Sequence, residues 1–129
     1  MEIIKETGKL STIQKRGNLH QVYRTDEPGA DNAYHKYVVR QDKFCPHEEV
    51  VVAEIQFQHG PRNEEGSTRG VLDNDLMEIV RDRLKAFQSG PYACRENALA
   101  LTHIEEALMW MNRRVEDHIE RGVLGTMEK

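Results

Sequence analysis

FQSGPYACRENALALTHIEEALMWMNRRVEDHIERGVLG, residues 87–125, is the stretch on which the fold turns. Within it Leu101, Ile104, Leu108, Met111, Val115 and His118 follow steps of three, four, three, four and three, the seam of a helix packed along another helix. The spacing predicts a helix that begins near Pro91 to Cys94 and runs to Arg121, with Gly122 as its C-terminal cap. A helix of about 28 residues extends about 42 Å. Upstream, Leu76, Ile79, Val80, Leu84 and Phe87 recur at helical spacing, Asp73 or Asn74 is placed to cap them, and Ser89-Gly90-Pro91 stops them. The two helices make a hairpin whose first arm is the shorter. The far end of the long arm therefore needs something else to pack on, either a sheet or another subunit.

The chain before the hairpin reads as strands and turns. Leu19 to Tyr23 and Tyr34 to Gln41 are rich in aromatic and β-branched residues, with the turn-forming Asp26-Glu27-Pro28-Gly29 between them. In Val50 to Phe57 the residues Val51, Ala53, Ile55 and Phe57 alternate with Val52, Glu54 and Gln56, a period of two that predicts one buried and one wet face. The expected fold is α+β: a small N-terminal antiparallel sheet over residues 1–58, a loop over 59–72, the helical hairpin over 73–122 and a tail over 123–129, all within a single domain.

The chain has 129 residues, of which 38% are hydrophobic and 31% charged, and so thin an apolar fraction favours burial of further surface in a homo-oligomer. Its net charge of −4 argues against DNA, whose polyphosphate backbone selects basic proteins. Cys45 and Cys94 form no disulfide framework, the N-terminus has no signal-like apolar segment, and no run of about 18 apolar residues is present, so a reduced cytosolic protein with no membrane span is expected.

Several groupings bear on chemistry. Cys45-Pro46-His47-Glu48-Glu49 contains metal-ligand types at a spacing that matches no usual zinc site, so no metal and no cofactor are assigned. His103, Glu105 and Glu106 are titratable, but adjacent carboxylates on a helix diverge by about 100° and cannot share one substrate atom. No catalytic set emerges. The arginines suit binding instead: Arg62 lies in a Gly/Pro loop, Arg95 in the first turn of the long helix where terminal amides attract phosphate, and Arg114 one turn before His118. With Asn97, able to pair with an adenine edge, and Phe87, able to stack on a base, they compose a pocket for a phosphate-bearing heterocycle.

The sequence CRENALALTHIEEALMW from Cys94 to Trp110, the RGVLGT ending and the FQ-x-GP motifs at Phe57 to Pro61 and Phe87 to Pro91 resemble a phage anti-defence family, the Thoeris anti-defence sponges. The hairpin alone, through RE-x-ALALTH-x-EEA-x-MW, is also similar to the anti-CBASS cyclic-nucleotide sponge. The resemblance covers about residues 50–127 well and the N-terminal sheet in outline. It implies a non-enzymatic protein, acting in the cytoplasm of the infected host, that captures glycocyclic ADP-ribose isomers and, in some members, cyclic dinucleotides or trinucleotides. It also implies dimers or hexamers with pockets formed between subunits.

Carried over by motif, the resemblance makes Phe87 the base-stacking residue, Asn97 the adenine contact, Arg62 and Arg114 phosphate contacts, and Arg95 part of the cyclic-trinucleotide pocket. His118 stands where many relatives carry arginine, and is expected to weaken the phosphate contact or make it pH-dependent. The rival readings are an enzyme that degrades the same nucleotides, which lacks a nucleophile, base or metal set, and a structural interaction module with surface arginines.

Overall fold

The computed structural model describes residues 4–42, 49–61 and 64–122; Cys45 to Glu48, Arg62 and the tail 123–129 lie outside the described residues. The chain divides into two compact units, one of Met1–His59 with Thr68–Gly70, the other of Gly60–Ser67 with Val71–Lys129.

The first unit is a three-stranded antiparallel sheet of β1 (Gln21–Arg24), β2 (Lys36–Asp42) and β3 (Glu49–Gln56), in that spatial order. The connection from β1 to β2 is longer than the Asp-Glu-Pro-Gly turn alone. The Asp26 carboxylate accepts the backbone N–H groups of His35 and Lys36 at 3.0 and 3.2 Å, which delays the start of β2 to Lys36. Inside that loop Asn32 adopts φ 68°, a left-handed conformation asparagine tolerates, and its N–H reaches the Gly29 carbonyl at 2.9 Å.

The even alternation expected for β3 breaks at Val52. Val39 pairs with Ala53 but Arg40 with Val51, so Val52 is the extra residue of a bulge, and Val50, Val51 and Val52 are all exposed. Ala53, Ile55 and Phe57 are half-buried as expected, whereas Val51 is exposed. Tyr37 meets Phe57 edge-on at 5.6 Å on that face. The deepest burial lies on the opposite face, where the paired residues Tyr23 and Val38 are 1% and 6% exposed. Arg40 covers Tyr23, its Cζ 4.5 Å from the ring centroid and its Nη2 donating to the hydroxyl at 2.7 Å.

Beside β2, the His35 ring stacks on His59 with centroids 3.9 Å apart and planes 4° from parallel. Gly29 makes room for the pair, since a Cβ there would lie 2.9 Å from His59 Nε2 and 3.0 Å from His35 Cε1. Parallel rings hold their nitrogen lone pairs parallel as well, a poor arrangement for chelating one ion. His35 Nε2 donates to Asp31 at 3.0 Å. The Asp31 carboxyl is held below its ordinary range chiefly by the backbone N–H of Ala33; burial opposes this, and the His35 ring adds to the lowering.

The second unit is the hairpin of α1 (Asp73–Gln88) and α2 (Arg95–Glu120). The cap of α1 differs from the expected Asp73 or Asn74. Leu72 is the N-cap residue, and Asp75, three positions on, reaches back to accept its N–H at 2.8 Å. That is the backward half of a capping box, and it places Asp73 in the first turn, where the helix dipole favours an anion. Between the helices, Cys94 N–H donates to Gln88 Oε1 at 3.0 Å and Cys94 Sγ accepts the Asn97 N–H at 3.4 Å, which starts α2. At the other end Gly122 has φ 70°, the left-handed stop the sequence predicts.

All six positions of the predicted α2 seam are buried or half-buried, and Asn97 extends it by one turn. The facing stripe of α1 runs through Asn74, Met77, Arg81, Leu84 and Gln88, with Arg81 Nε donating to Glu105 Oε2 at 2.8 Å across the hairpin. Ile79 and Val80, expected on this stripe, are exposed on a second face. The stripe of α1 that faces α2 is thus mixed in polarity, and the apolar Ile79 and Val80 are left uncovered by α2 of the same chain. No helix among the described residues is long and apolar enough to cross a membrane.

Candidate functional site

Phe87 is in the last turn of α1 and Asn97 in the first turn of α2, so both lie at the hairpin's closed end. That end is firmly tied. Besides the Gln88 and Cys94 bonds, Ser89 Oγ donates to the Lys85 and Ala86 carbonyls at 3.2 and 3.0 Å. Phe87 and Asn97 are both half-buried, accessible to a ligand yet restrained by packing. Arg95, the first residue of α2, is exposed beside them. The free N–H groups of that turn carry the positive end of the helix dipole.

Arg114 and His118 are elsewhere. Along α2, at 1.5 Å per residue, Arg114 lies about 26 Å and His118 about 32 Å from Asn97. One copy of the hairpin therefore cannot bring Phe87 and Asn97 together with Arg114 on a single mononucleotide-sized ligand. Arg114 is exposed and no carboxylate holds it among the described residues. His118 is 7% exposed, and its Nδ1 donates to the Arg114 carbonyl at 2.7 Å, a bond within its own helix. Arg62, the remaining predicted contact, lies outside the described residues.

The groups weighed for catalysis are otherwise engaged. Glu105 is the partner of Arg81, whose charge is stabilised first by Glu105 and then by Glu78. Glu106 pairs loosely with His103 at 3.9 Å in solvent. Among the described residues no group of three or more His, Cys, Asp or Glu is placed to hold a metal ion, and Cys45 and His47 of the weighed metal motif lie outside them.

Two hollows of about 430 and 270 Å³ lie in the sheet unit, one around Lys9, Thr12, Lys15 and Asn18, the other around Lys5, Thr7, Arg24 and Tyr34. Neither includes a predicted ligand residue. Two arginine–aromatic contacts were not read from the sequence: Arg83 lies 5.4 Å from the Phe87 ring centroid and Arg113 5.4 Å from that of Trp110. The signal was present in their spacings of four and three residues, which place each pair on one helix face.

Residues 49–116 match the family model described as Acb2/Tad1, hairpin domain. That segment holds β3, α1 and most of α2, and with them Arg62, Phe87, Arg95, Asn97 and Arg114, but not His118. The chain is also similar to Thoeris anti-defense 1 of Bacillus phage SBSphiJ7, at 49% identity over 78 residues that make up 60% of this chain and 54% of that protein. The chain thus spans about half the length of the relative it matches. Because the family match takes in more than half of the 129 residues and includes both arms of the hairpin, this chain belongs to the Acb2/Tad1 hairpin family.

Proposed function

We propose that this protein is a phage anti-defence factor that binds immune signalling nucleotides and holds them without chemical change, blocking Thoeris and, where cyclic oligonucleotides also bind, CBASS. The ligands of first choice are glycocyclic ADP-ribose isomers, met in the cytoplasm of the infected host. The observation that carries this reading is the distribution of binding groups along one rigid hairpin: an aromatic ring and an amide at the closed end, exposed arginines at both ends, and no assembled acid–base or metal set among the described residues.

The distance between the two ends gives self-association a purpose. A second copy running antiparallel would bring its Arg114 to the Phe87 and Asn97 of the first. The outward apolar residues favour such an assembly: Met109 and Trp110 are 70% and 67% exposed on α2, while Ile79 and Val80 are exposed on α1. Burial of the base between subunits, with charge-assisted hydrogen bonds to the diphosphate, favours the slow release that a sponge requires.

The test is calorimetry with cyclic ADP-ribose isomers and cyclic di- and trinucleotides, followed by heating of the loaded protein and chromatography of what is released. Tight binding and intact ligand are expected. A cleaved product would replace this reading with an enzymatic one, and absence of binding across the panel would leave the interaction module.

A further inference from the structure

We infer that Arg83 is a further ligand-binding residue, a guanidinium that contacts the phosphate of the nucleotide whose base stacks on Phe87. The inference rests on the proposed stacking role of Phe87 and extends that site by one helical turn.

Three observations lead to it. Arg83 is exposed, and its Cζ lies 5.4 Å from the Phe87 centroid, at the outer part of the cation–π range. So loose a contact orients the guanidinium near the ring without committing its N–H donors. Next, the residues three and four positions away on its helix are Ile79, Val80, Ala86 and Phe87, all apolar. No carboxylate holds Arg83 among the described residues, whereas Arg81 on the facing stripe is bound by both Glu78 and Glu105. An arginine set in an apolar stripe can lay its stem along that surface and keep its charge at the edge for an external anion.

The third is the polarity of the helix end. Phe87 is in the last turn of α1, where unpaired carbonyls carry the negative end of the helix dipole. A nucleotide stacked there brings its own negative charge into that field. A cation one turn back offsets both, and Arg83 is placed on the same face as the ring to do so. Lys85, also basic in this turn, is two residues from Phe87 and points to another side of the helix.

The test compares wild type, Arg83→Gln and Arg83→Lys in calorimetric titrations with cyclic ADP-ribose isomers at two salt concentrations, with the mass in solution measured for each. Loss of a charge-assisted phosphate contact predicts that Arg83→Gln weakens binding about tenfold or more and flattens its salt dependence, while Arg83→Lys recovers most of both. Arg83→Gln binding within about twofold of wild type at both salts, or equal losses in the two variants, overturns the inference. So does a change of assembly in Arg83→Gln that Arg83→Lys repairs without repairing affinity. If Phe87→Ala also leaves binding unchanged, or wild type binds no member of the panel, the proposed site itself falls and Arg83 with it; an effect of Phe87→Ala alone removes Arg83 only.

Discussion

If the pocket is shared between copies, two defective chains should repair one another. Phe87→Ala with Asn97→Ala removes the closed-end half of the site, and Arg114→Ala removes the half that lies about 26 Å along α2. Each alone should bind poorly: loss of a stacked base costs about 1–3 kcal/mol, and loss of a charge-assisted hydrogen bond costs about 1.5–3 kcal/mol. When the two chains are co-expressed in equal amounts and assemble at random, a pocket is intact if its closed end comes from the Arg114→Ala chain and its arginine from the other. Those two conditions each hold about half the time, so about one quarter of wild-type sites should return at wild-type affinity in a closed assembly of any size. Equilibrium dialysis with a labelled cyclic ADP-ribose isomer counts the sites. A mixture that binds no better than its two components would refute the shared pocket and require each chain to close its own.

Two further outcomes concern the sheet unit. Gly70→Ala places a methyl group against the Gln56 carbonyl and the Phe57 backbone, neither of which can swing away, so a loss of about 2 kcal/mol or more in chemical denaturation is expected and an unchanged midpoint would contradict the packing. Asp31, with its carboxyl held below the ordinary range, adds stability that is complete above the unfolded value of about 4 and disappears as pH falls through its lower folded value. The stability curves of wild type and Asp31→Asn should therefore converge on acidification, and parallel curves would remove that role.

The helical half of the fold was legible because its periodicity is long. Seven residues from Asn97 to His118 keep to one face, and no local event interrupts them. The sheet was legible as three strands but less so in detail. The bulge at Val52 depends on how β3 meets β2, which no pattern within β3 records. The cap of α1 was misplaced because Asp73 and Asn74 are both good cap residues, and only the backward bond from Asp75 shows that the helix starts a residue earlier in the chain than a side-chain cap would set it. Ile79 and Val80 illustrate a different limit. Helical spacing identifies apolar stripes but does not say whether the same chain covers them. For the site, residue types and family pattern proposed the members, while the span between Asn97 and Arg114 required the helix to be continuous.

In the proposed function that continuity ties binding to assembly. α2 is 26 residues long and α1 16, so α2 overhangs its partner by roughly 15 Å at 1.5 Å per residue, and Arg114 lies in the overhanging part. A short hairpin would have kept every binding group on one copy, with no need for self-association. Here the excess length carries a cation away from the closed end, and the exposed Met109 and Trp110 lie on the way to it. A ligand held between two such arms would stabilise the assembled state by mass action in proportion to its occupancy, and the assembled state would in turn present both halves of the pocket. His118 fits this picture as a residue of the packed face, since its Nδ1 is bound to its own helix at the Arg114 carbonyl.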